Sequence, residues 1–80
     1  MTLWVITKAN SGKSGTRAES IQEAYFYLGR VAGRMEKELG VYLAISDMPD
    51  AFFDNTYCTL YPEGKDPIGD AVAWITSRGV

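Results

Sequence analysis

Apolar residues recur along the chain with three distinct rhythms. Residues 2–8, with Leu3, Trp4, Val5 and Ile6, are β-branched and aromatic enough for a strand. Asn10-Ser11-Gly12-Lys13-Ser14-Gly15 then carries no apolar anchor and reads as a loop. From Ile21 the rhythm changes: Ile21, Ala24, Tyr25, Leu28, Val31, Ala32, Met35 and Leu39 step by three and four residues and form one helical stripe. Two capping boxes precede it, Thr16-Arg17-Ala18-Glu19 and Ser20-Ile21-Gln22-Glu23, and the helix is expected to start at one of them and stop at Gly40. Gly29 and Gly33 lie inside it, which implies either local weakness or a close neighbour.

Val41-Tyr42-Leu43-Ala44-Ile45 and Thr56-Tyr57-Cys58-Thr59-Leu60-Tyr61 read as two strands of a hairpin with a long connection. After Pro62-Glu63-Gly64-Lys65, Asp66-Pro67 has the form of a cap and first-turn proline, and Ile68, Ala71, Val72 and Ile75 fit a second amphipathic helix ending at Gly79. The predicted fold is α+β in the order β-α-β-β-α: a three-stranded antiparallel or mixed sheet with two helices packed on one face. A split β-α-β arrangement places the third strand between the first two. Eighty residues without internal repeats or linkers predict one domain over residues 1–80.

Composition then narrows the chemistry. With 46% hydrophobic and 22% charged residues, the chain is expected to fold rather than stay disordered. Histidine is absent, which removes the commonest general base and transition-metal ligand. Cys58 stands alone, so no internal disulfide forms and a reducing cytoplasm is favoured. Beside Leu60 on an alternating strand, Cys58 reads as a small buried hydrophobe rather than a nucleophile. No basic leader or long apolar run follows Met1-Thr2, so the chain is expected to be neither exported by a standard signal nor membrane-embedded.

Ser11-Gly12-Lys13-Ser14 ends like a P-loop, but the required glycine five residues before Gly12 is Thr7, which excludes nucleotide hydrolysis by that template. A weaker phosphate site remains, built from the loop with Lys13, Ser14 and Arg17 at a helix N-terminus. Asp47, Asp50 and Asp54 lack the glycine pivot and closing glutamate of a calcium loop. No enzyme activity, cofactor or metal is expected.

Three surfaces could bind a partner. Phe26, Tyr27, Arg30, Arg34 and Lys37 fall opposite the helix's core stripe. Tyr42, Tyr57 and Tyr61, with Trp4, would share an open sheet face, where aromatics stack bases in RNA-recognition sheets. In the loop after the second strand, Asp47, Asp50, Phe52, Phe53 and Asp54 make an apolar anchor with an acidic rim, suited to a lysine- or arginine-rich partner.

Charge separates along the chain. Residues 1–37 hold six basic and three acidic residues, giving +3, whereas residues 38–80 hold two basic and seven acidic, giving −5. A histidine-free chain of this size with opposed charge patches and aromatic faces resembles, in general character, the small inhibitors made by phages, notably anti-CRISPR proteins. That resemblance implies a non-enzymatic inhibitor or adaptor whose acidic residues engage a basic protein surface, such as that of a CRISPR effector complex. The alternative is a small nucleic-acid-binding module using the Gly/Ser loop and the basic helix face.

Overall fold

A computed structural model describes residues 2–10, 15–47 and 56–77. Among these residues are five strands and one α-helix: β1 (Leu3–Thr7), a 3-10 turn (Lys8–Asn10), β2 (Thr16–Ala18), α1 (Ile21–Leu39), β3 (Leu43–Asp47), β4 (Thr56–Pro62) and β5 (Ala73–Thr76). The strands form one antiparallel sheet in the order β2-β1-β5-β4-β3.

The helix follows its stripe. It begins at the second capping box, where Glu23 N–H donates to Ser20 Oγ at 3.1 Å, and it ends at Gly40, whose φ of 68° is the left-handed conformation a C-cap requires. Ala24 and Leu28 are fully buried on Leu3, Val5, Ala18, Cys58, Leu60, Ala73 and Ile75, the alternating residues of the helix-facing side of the sheet. Strands β2 and β3 lie at opposite edges and, through the antiparallel chain of neighbours, run in the same direction. A 19-residue helix is roughly 28 Å long, enough to carry the chain across the four interstrand spacings between those edges.

Two features overturn the predicted β-α-β-β-α fold with its three strands and two helices. The first is the expected C-terminal helix. Asp66 does cap, accepting from Ile68 N–H at 3.1 Å, and Asp70 N–H reaches Asp66 C=O at 3.0 Å, but the coil ends after that turn. The chain then extends as Ala73-Trp74-Ile75-Thr76, which pairs with β1 on one side and β4 on the other. A short isolated helix is marginal, whereas a central strand rich in β-branched and aromatic residues gains two ladders and buries Ala73 and Ile75. Because β5 separates β1 from β4, the split β-α-β arrangement is also absent.

The second correction concerns residues 16–19. Their capping box does not open a helix; Thr16–Ala18 pairs with β1 as β2, with Leu3 opposite Ala18. Gly15 therefore leads into a strand, not into a helix N-terminus.

Nor does the sheet face away from the helix lie bare. The β4–β5 connection folds over part of it, and Thr59 Oγ1 donates to Pro67 C=O at 2.8 Å beneath it. Between Thr56 and Cys58 the β4–β5 register slips by one residue, so Thr56 and Thr59 oppose Thr76 and Trp74 on the same face.

A candidate protein-interaction surface at the β3 edge

Six large hydrophobic side chains are exposed among the described residues, and four of them, Leu39, Val41, Tyr42 and Ile45, lie within seven consecutive positions. They run from the last turn of α1 into β3, the outermost strand on its side of the sheet. Tyr42 is 78% exposed, and Ile45 is 46% exposed although it stands on the helix-facing side, opposite buried Leu60. Glu36, Glu38, Asp47 and Glu63 neighbour them in sequence or across the strand register, with Lys37 in the same helical turn, so carboxylates outnumber cations next to the apolar patch.

The helix holds β3 through polar contacts at both ends. Glu36 Oε2 accepts from Leu43 N–H at 2.8 Å, and Tyr25 OH donates to Asp47 Oδ1 at 2.7 Å. Both residues belong to one side of α1: Tyr25, Gly29, Ala32 and Glu36 stack at four- and three-residue spacings. The two residues between the contacts are small, and a Cβ built on Gly29 would meet nothing within 4 Å. Lying between the two contacts, Gly29 and Ala32 leave open space, a trough, on the side of the helix where Ile45 stays 46% exposed.

Cys58 lies next to this region, fully buried and opposite Asp47. Burial is the main force pushing its thiol pKa up; the hydrogen bond with Tyr25 pulls the other way, and the charge of Asp47 adds to the rise. Burial also raises the Tyr25 phenol, helped by its hydrogen bond to Asp47. A buried thiol held in its neutral form packs well and attacks poorly.

The basic helix face is placed as the wheel predicts for most of its members. Phe26 is 63% exposed beside exposed Arg30, Arg34 and Lys37, whereas Tyr27 turns inward, half-buried against the core and tilted on Phe26 at 5.9 Å. Arg34 reaches Glu38 at 4.0 Å, a surface contact of small energetic weight.

The sheet tyrosines do not form one platform. Tyr61 faces away from the helix and Tyr42 precedes β3 on that same side, but Tyr57 is the extra residue at the β4 irregularity and packs against the core. Trp4 shares the Tyr61 face, three strands away from Ala44, the partner of Tyr61. On that face Lys8, Thr56, Thr59, Ile68, Gly69, Ala71 and Trp74 line a recess of about 410 Å³.

Of the proposed phosphate site, Arg17 is described; it sits on β2 and pairs with Glu19 at 3.0 Å. Lys13 and Ser14 lie outside the described residues, as do Asp50, Phe52, Phe53 and Asp54 of the acidic loop. Sequence reasoning missed Leu39, Val41 and Ile45, which it assigned to the core, and Glu36, which it left unassigned. A signal for Glu36 was present in its spacing from Tyr25, but only the position of β3 gives that spacing meaning.

No protein-family model matches the chain, and neither a curated protein nor a solved structure is significantly similar to it.

Proposed function

We propose that this domain is a non-enzymatic inhibitor or adaptor that binds the basic surface of a partner protein through the acid-rimmed apolar patch at the end of α1 and β3. The observation that carries this reading is the run of exposed Leu39, Val41, Tyr42 and Ile45, with Glu36, Glu38, Asp47 and Glu63 next to it in sequence or register. Interface centres are apolar and aromatic with a polar rim, and opposite charge on that rim selects and steers the partner. The anti-CRISPR-like form of the proposal takes the partner to be a nucleic-acid-guided complex, whose lysine- and arginine-rich channel has the required sign of charge.

The test is recovery of partners from a bacterial lysate with wild type, Tyr42→Lys/Ile45→Lys and Arg30→Glu/Arg34→Glu. Loss of the same protein with the first double variant and retention with the second is the expected result. Unchanged recovery with the first would refute the reading.

A second reading rests on exposed Arg30, Arg34 and Lys37 beside exposed Phe26. These groups suit phosphates and an unstacked base. Under this reading the chain binds short single-stranded RNA or DNA with an affinity that falls steeply with salt, and Arg30→Glu/Arg34→Glu abolishes it.

A further inference from the structure

The backbone of β3 fixes which of its groups are free. Leu43 stands opposite Pro62, and the same register puts Tyr42 opposite Glu63, whose N–H donates to Tyr42 C=O at 2.9 Å. Bonded and non-bonded pairs alternate along an antiparallel ladder. Ala44 and Ser46 therefore bond to β4, and the N–H and C=O groups of Leu43, Ile45 and Asp47 point outward from the edge. The Glu36 carboxylate on Leu43 N–H agrees with this assignment, since that donor is not used by β4.

This edge lacks most devices that normally blunt one. Its five residues, Leu-Ala-Ile-Ser-Asp, contain no lysine or proline, and the β3–β4 register runs without a bulge. Among the described residues, Glu36 occupies Leu43 N–H with a side chain that rotation can remove, and Asp47 adds a charge at the end of the strand.

We infer that β3 receives an extended segment of the partner as a sixth, antiparallel strand, and that the segment carries basic, apolar and basic residues at alternate positions. The inference rests on the proposed use of this surface for partner binding and adds its mode and sequence preference. The pattern follows from the register. An added strand's residue opposite Ile45 exchanges both backbone hydrogen bonds with it and lays its side chain into the trough above Gly29 and Ala32, which takes an aliphatic group. Its neighbours two residues away on the same face stand opposite Leu43 and Asp47. There they meet the Glu36 and Asp47 carboxylates, so lysine or arginine is favoured at both positions. Displaced from Leu43 N–H, Glu36 finds a new partner in the incoming cation.

A second copy of this chain does not meet these conditions. Self-pairing centred on Ile45 sets Asp47 of one copy opposite Leu43 and Glu36 of the other, carboxylate against carboxylate. Self-pairing centred on Ala44 displaces Glu36 with no cation to receive it.

Two blocked synthetic peptides test the inference, Thr-Lys-Thr-Val-Thr-Lys-Thr and the same sequence methylated on the valine nitrogen, titrated against the full chain with amide exchange as a second readout. The expected result is saturable binding of the first, weakened about tenfold or more by methylation, with slowed exchange of Ile45 N–H in the complex. Glu36→Lys is expected to weaken the lysine peptide and to favour its glutamate counterpart, each by about tenfold. Gly29→Leu, which fills the trough, blocks binding without loss of fold. Absence of saturable binding, or equal binding of the methylated peptide, overturns strand addition. The broader reading has its own separate failure, unchanged partner recovery with Tyr42→Lys/Ile45→Lys.

Discussion

The two edges of the sheet meet the same helix on different terms. At β2 the contact is apolar: Ala18 is fully buried, and Ala24 and Leu28 of the N-terminal half of α1 are sealed over it and its neighbours β1 and β5. At β3 two hydrogen bonds, Glu36 to Leu43 and Tyr25 to Asp47, tie the strand to the helix and Leu43 packs half-buried against the core, while Ile45 and Leu39 stay about half exposed. One helix thus stabilises the fold at one end and leaves apolar surface open at the other. Burial without a gap is what a core requires, whereas an interface needs apolar area that is still wet before the partner arrives.

Truncating the same residue type at each end gives the largest contrast. Leu28→Ala leaves a cavity among fully buried neighbours and is expected to cost about 2–5 kcal/mol, whereas Leu39→Ala is expected to change stability by no more than about 0.5 kcal/mol. Urea denaturation of the two variants measures both. Equal losses would mean that the end of α1 is as much part of the core as its beginning.

Alkaline titration probes the β3 end next. The folded pKa of Cys58 lies above its usual 9.0, and that of Tyr25 above 10.0. Below about pH 8 both groups are protonated in folded and unfolded chains alike, so stability is unaffected. As pH rises beyond that, the unfolded chain releases protons that the folded chain keeps, and stability falls. The denaturation midpoint is expected to drop from about pH 8 upward and to go on dropping past about pH 10, with a shallower drop in Cys58→Ala and in Tyr25→Phe. Slopes identical to wild type in both variants would show that neither group is linked to folding.

The helix and the strands expected at 2–8 and 56–61 were legible because each carries its own periodicity and its own stop, Ser20 and Gly40 for the helix and the Asn10–Gly15 and Pro62–Lys65 stretches for strands, whereas the strand expected at 41–45 lies two residues later, at 43–47. The C-terminal element was misread because Ile68, Ala71, Val72 and Ile75 fit a helical step while Ala73-Trp74-Ile75-Thr76 also fits a strand; the decision belongs to β1 and β4, which are distant in sequence. Thr16–Ala18 failed for the same reason, since its three residues become a strand only beside β1. The basic face around Arg30 and Arg34 follows from the wheel alone. The trough at Ile45 does not, because an apolar residue on the inward side of a strand reads as core unless one knows that Gly29 and Ala32 stand above it.

The smallest effects separate Gly33 from Gly29. A Cβ built on either meets nothing within 4 Å, so neither glycine is kept by a close neighbour and each weakens the helix through backbone entropy. Gly33→Ala and Gly29→Ala are each expected to stabilise the fold by about 0.5–1 kcal/mol, read as a higher urea midpoint. Their effects on binding should differ. Gly33 lies beyond the stripe of Tyr25, Gly29, Ala32 and Glu36, so alanine there leaves the trough unchanged, whereas alanine at Gly29 narrows it and leucine closes it. A peptide affinity that is constant for Gly33→Ala but falls from Gly29→Ala to Gly29→Leu, while stability stays at or above wild type, would tie the missing side chain of Gly29 to the open ground above Ile45. Equal affinities across the series would leave the two glycines without a functional distinction, and the uncovered end of α1 would then need another explanation.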